Sequence, residues 1–92
     1  MARQPRIVIP DVPHHIILRG NHRERVFFSD TDRLVYLRLM KKHGNKHGIR
    51  YLAYCLMTNH VHLIAAPECR TSFARGFREA LRSYTNLINI RE

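Results

Sequence analysis

Ninety-two residues give one small domain, with room for a single hydrophobic core, and a hydrophobic fraction of 45% argues against a disordered chain. Lys and Arg number 16 against 7 Asp and Glu, for a net charge of +9 and a pI near 10.6; arginine supplies 13 of the 16, and its planar fork matches phosphate oxygens, so nucleic acid is the expected partner ahead of a merely solvated basic surface. No apolar run approaches membrane-spanning length, no signal-type start is present, and Cys55 and Cys69 lack CxxC or finger-type spacing, which argues against membrane insertion and secretion and for a reduced, cytoplasmic protein.

Met1 to Pro13 is basic and carries Pro5, Pro10 and Pro13 around Ile7, Val8 and Ile9. Proline lacks a ladder donor, so the segment reads as an extended arm or short edge strand. His14 to Leu18 is a β-rich run closed by Arg19-Gly20-Asn21, a turn signal. Ser29 reads as an N-cap, with Asp30 and Asp32 in the first turn where the helix dipole favours acid. The helix it opens carries Leu34, Leu37 and Met40, with Val35 and Leu39 beside them, as its apolar stripe, and Gly44 and Gly48 mark its end. Ile49 to Met57 and His60 to Ala66 form an antiparallel hairpin about Thr58-Asn59. After a loop over Pro67 to Thr71, residues from Ser72 to about Ile90 place Phe73, Phe77, Leu81, Tyr84 and Ile88 at helical spacing. The order β-α-β-β-α predicts an α+β fold, an antiparallel sheet with two helices on one face.

The segment that carries chemistry is Tyr54 to Leu63. Side chains alternate along a strand, so His60 and His62 share one face while Val61 and Leu63 take the other. Two imidazoles on one face can hold a divalent cation and leave positions open for a phosphate oxygen. An ordinary pair of strand histidines is the competing reading, and the basic charge of the chain tilts the balance to metal. Covalent chemistry on a DNA end needs a nucleophile, and tyrosine suits it. Tyr36 falls inside the first helix, and Tyr51 and Tyr54 fall on opposite faces of the strand before the turn. Tyr84 is the candidate on the second helix, although its place on the apolar stripe favours a packed aromatic.

Three segments, RIVIPDVPHHIILRGNHRERVFF, YCLMTNHVHLI and LRSYTNLIN, together resemble the single-tyrosine HUH transposases, in particular the REP-associated tyrosine transposases. The resemblance implies a ferredoxin-like sheet acting on single-stranded or hairpin DNA, with His60 and His62 as the metal pair and magnesium or manganese as the ion. It also implies a tyrosine that attacks the scissile phosphate and keeps a 5′-phosphotyrosine, and a homodimer. The family's nucleophile is similar to the tyrosine of a Tyr-Ile-x-x-Asn-Pro motif on a later helix, which this sequence does not contain, and Thr58 stands where proline is usual. The expectation is therefore a C-terminally incomplete member, lacking its last helix and its nucleophile. Arg19, Asn21, Arg23 and Arg25 after the first strand are the expected DNA contacts, with Arg75, Arg78 and Arg82 on the second helix as further candidates. A non-catalytic nucleic-acid-binding module and a structural remnant are the alternatives.

Overall fold

The computed structural model describes residues 7–19 and 25–91. Strand β1 (His14–Arg19) precedes helix α1 (Asp30–His47), strands β2 (Ile49–Leu56) and β3 (His60–Pro67), and helix α2 (Ser72–Arg91). β3 lies between β1 and β2, antiparallel to both, so the expected α+β, ferredoxin-like order is the observed one. One face of the sheet is dry. Ile16 of β1 and Val61, Leu63 and Ala65 of β3 are buried together with Tyr36 and Met40 of α1 and Phe73, Phe77, Ala80 and Tyr84 of α2. Both helices therefore cover the same side.

The ends of α1 follow from local chemistry. Ser29 Oγ accepts from the Asp32 amide at 3.2 Å, and the buried Asp32 carboxylate accepts from the Phe28 amide at 2.8 Å, so two backbone donors near the helix start are satisfied. At the other end Gly48 adopts φ 76°, the left-handed cap for which glycine carries no Cβ penalty, and its amide donates to Gly44 O. Gly44 is not a terminus but an interior position facing the Tyr51 ring, where a Cβ would come within 2.8 Å of Cε2.

Two further expectations are corrected, and one left open between an arm and an edge strand is decided. The buried row of α1 is Asp32, Tyr36, Met40, His43 and Gly44, while Leu34 is 56% exposed. The capping role of Asp32 turns its side chain inward, and residues four apart follow it. In β2 the register slips after Tyr51, which pairs with Ala65, so that Ala53 meets Ile64 and Tyr54 meets Leu63. The extra residue is a bulge, and it returns Tyr54 to the face of Tyr51 rather than the opposite one. Residues 7–13 form no strand: Asp11 donates its amide to Pro67 O at 2.7 Å, and the Ile9 amide donates to Nε2 of His14. His14 is thereby a structural residue, its ring edge-on to Phe73 on the helix side.

Candidate metal and nucleic-acid site

The face of the sheet turned away from the helices carries the histidines. Val61, Leu63 and Ala65 are buried among the helices, so strand alternation sends His60, His62 and Ile64 the other way. On this face Arg19 lies opposite His60, Ile17 and Cys55 flank His62, and His15 lies opposite Ile64. Arg19 and His15 are exposed, and His60 and His62 half-buried. The rings of His60 and His62 are 4.9 Å apart between centroids, inclined at 71°.

Each of the two rings has its Nδ1 engaged. Asn59 Oδ1, which can only accept, takes the His60 Nδ1 proton at 2.7 Å. His62 Nδ1 lies 3.1 Å from Nε2 of His15. With both Nδ1 atoms engaged, the Nε2 edges are the ones that could face a cation, and the Nδ1 contacts are of the kind that ligating imidazoles ordinarily have. Among the described residues no group of three or more His, Cys, Asp or Glu is placed to hold a metal ion. Among the described residues the donors this face offers are the two imidazole nitrogens, a set that would suit a cation whose other positions are filled by water or phosphate.

The model of the family described as transposase IS200-like matches residues 9–91. The chain belongs to this family. No curated protein and no solved structure matches it. An IS200-like transposase works on DNA and the family is generally metal-dependent, which is the chemistry that two imidazoles beside an arginine can serve. No helix among the described residues is long and apolar enough to cross a membrane.

Arg25 joins the same end of the sheet as Arg19. The Val26 amide donates to Thr58 O at 2.7 Å, which lays this segment over the β2–β3 turn beside His60. The Arg25 guanidinium lies 5.4 Å from the Phe28 ring centroid and its Nε donates to Phe27 O. Asn21 and Arg23 lie outside the described residues. Arg75, Arg78 and Arg82 are exposed along α2, whose buried side packs on the dry face, so they stand on the far side of the molecule from the histidine pair.

Tyr84 is not beside the pair either. It is 5% exposed in an aromatic cluster with Phe27 and Tyr36, and its hydroxyl donates to Val26 O at 2.6 Å. Tyr36 is buried in the same cluster, and burial, with Tyr51 and Tyr84 adding, pushes its phenol well above the ordinary range. Burial raises Tyr51 in the same direction, and its hydroxyl donates to Met40 O. Tyr54 shares the Tyr51 face through the bulge and, with it, lines a cavity of about 490 Å³ between α1 and β2. All four tyrosines thus project to the helix side.

His15 is the site-face residue that sequence reasoning passed over. Its signal was present in the period-2 pattern of β1, which puts His15, Ile17 and Arg19 on one face, but the pairing with β3 that brings it to His62 spans 47 positions.

Proposed function

We propose that this chain is the DNA-processing domain of an IS200-like transposase that binds single-stranded or hairpin DNA across the open face of its sheet, with His60 and His62 holding a divalent cation at the phosphate. The observation that carries the reading is the pair of half-buried imidazoles on one face, both with Nδ1 engaged, in register with Arg19. A cation bound there supplies Lewis-acid polarisation of a phosphodiester oxygen. Arg19 and Arg25 hold the backbone beside it by charge and by the guanidinium fork. Of magnesium and manganese, the two nitrogen donors favour manganese, because magnesium prefers an all-oxygen shell.

The attack on the phosphate is not assigned to any of the four tyrosines of this sequence. A buried Tyr84 hydroxyl committed to Val26 O faces the wrong side of the sheet for it. The chain therefore binds DNA without forming a phosphotyrosine by itself. The reading includes a cytoplasmic location, in keeping with two free thiols, and a homodimer, supported by the exposed apolar residues Leu52 and Tyr54 of the outer strand β2 and Met57 just after it.

The deciding experiment titrates a fluorescent DNA hairpin with the chain, with and without Mn²⁺, and runs the products on a denaturing gel. Binding that weakens steeply with salt, tightens with Mn²⁺ and leaves no protein–DNA adduct is the expected result. An adduct that disappears in Tyr84→Phe overturns the assignment of Tyr84 to the core. Binding no stronger than that of an unstructured peptide of equal charge overturns the DNA site.

A further inference from the structure

His60 and His62 have partners of different kinds, and the difference has a chemical consequence. Asn59 Oδ1 can only accept, so it fixes the His60 proton on Nδ1 and leaves a lone pair on Nε2. His15 is an imidazole and can act in either direction. If His62 donates from Nδ1, its Nε2 is free to ligate; if His15 Nε2–H donates instead, the His62 proton sits on Nε2 and closes that position.

We infer that His15 is a positioning residue for His62: it accepts the Nδ1 proton through its own Nε2 and so presents the His62 Nε2 lone pair to the cation. This rests on the metal site proposed above. The geometry suits a true hydrogen bond between rings. The nitrogens are 3.1 Å apart while the centroids are 5.3 Å apart and the planes differ by 17°. With so much of the centroid separation lying beyond the N···N contact, the rings meet edge to edge along the line joining the nitrogens and nearly in one plane, where an imidazole lone pair points.

His15 is also placed to do this without being a ligand itself. Its Nε2 is spent on His62, and the described residues form no metal group of three. β1 and β3 hold the two side chains in place by their register, His15 opposite Ile64 and His62 opposite Ile17, a diagonal neighbour pair on one face. The open face therefore carries two different tautomer selectors, an amide oxygen for one ligand and an imidazole for the other. A lone pair on His15 Nε2 requires its proton on Nδ1, so the inference also fixes the tautomer of His15.

The test is ¹⁵N long-range correlation spectroscopy of the histidine rings in the full chain, at a pH where they are neutral, joined to Mn²⁺ titration. The variants are His15→Leu, which removes the acceptor, and His15→Gln, whose amide oxygen restores one. His15 is exposed, so neither variant disturbs the core. In wild type His62 carries its proton on Nδ1. In His15→Leu it shifts to a mixture with Nε2–H while His60, held by Asn59, stays unchanged. Mn²⁺ affinity falls roughly 10- to 100-fold, the range for losing the outer partner of a ligating histidine, and His15→Gln recovers both. A His62 tautomer that does not move in His15→Leu, or a wild-type His62 already protonated on Nε2, overturns the inference. A tautomer that moves in a chain that binds no Mn²⁺ upholds the role of His15 and overturns the metal site instead.

Discussion

His43 and His47 on α1 and His60 and His62 on β3 are both neighbouring imidazole pairs, but their partners differ in kind. Glu79 of α2 serves the first pair: Oε2 lies 2.8 Å from His47 Nε2, Oε1 lies 3.3 Å from His43 Nδ1, and Lys46 Nζ donates to the same Oε1 at 3.2 Å. Asn59 and His15, neither of them a carboxylate, serve the second. A carboxylate between two helices takes a hydrogen bond from His47, lies beside a buried His43 Nδ1 that makes no hydrogen bond, and ties α1 to α2, which is a structural use. Partners other than carboxylates, on an open sheet face, engage the rings at Nδ1 and leave Nε2 outside those two bonds. Histidine proximity alone does not mark a site; what the second nitrogen touches does.

The largest effect that separates the clusters is on metal. Replacing His60 and His62 together with alanine should abolish Mn²⁺ binding, a loss of roughly 100-fold or more given the removal of both nitrogen donors, while the His43→Ala, His47→Ala double variant should leave Mn²⁺ affinity within about threefold, below the roughly 1 kcal/mol that decides a single contact. Paramagnetic broadening of the imidazole resonances measures this directly. Broadening at His43 and His47 in place of His60 and His62 breaks the comparison.

A smaller effect divides the arginines by face. Arg19→Ala should weaken hairpin binding by about tenfold and lower the slope of log affinity against log salt by about one, as expected for a lost phosphate contact. Arg78→Ala, on the helix side, should leave the slope unchanged. Fluorescence anisotropy over a salt series reads both. Equal changes in the two variants indicate a diffuse basic surface and remove the preference for the histidine face.

Tyr84→Phe tests the dry side. Losing the 2.6 Å bond to the carbonyl of half-buried Val26 leaves it with one partner fewer and should cost about 1 to 2 kcal/mol in urea unfolding, with no change in DNA affinity. A stability unaffected by the substitution, together with weakened DNA binding, moves Tyr84 from a core role to a DNA-binding one.

The parts of the molecule legible in the sequence are those governed by a few adjacent residues. Ser29 at the N-cap, Gly48 in the left-handed cap and the alternation from His60 to Leu63 were each readable because the chemistry is local, and the stripe Phe73, Phe77 and Tyr84 because it repeats at the helical period. The bulge after Tyr51 was not, since nothing in Tyr51-Leu52-Ala53 departs from an ordinary strand and the slip is defined only against Ala65 and Ile64. The phase of α1 is hidden in the sequence for a related reason. Leu34 looks like core and Asp32 like surface until the capping bond to the Phe28 amide turns the carboxylate inward. The partner of His62, and Glu79 with its two histidines, are meetings of residues tens of positions apart, which periodicity does not encode.

The smallest effect concerns Glu79 and sharpens the structural half of the comparison. Its hydrogen bond from Lys46 first, then that from His47, lower the carboxyl from an ordinary 4.5 to about 2, against the opposing pull of desolvation. A folded pKa below the unfolded one means stabilisation that is fully present above about pH 4.5 and is lost as pH falls toward 2. Wild type should therefore exceed Glu79→Gln in urea midpoint at neutral pH, and the gap should close across that acid window. Because Glu79 and Lys46 are partly exposed, solvent screens the pair, so the gap is modest and narrows further in molar salt. The His60→Ala, His62→Ala variant provides the contrast: with no carboxylate among the partners named for that pair, its difference from wild type should show no step between pH 4.5 and 2. A step of equal size in both variants assigns the acid transition to some other carboxylate and removes the claim that Glu79 is the clamp between the helices.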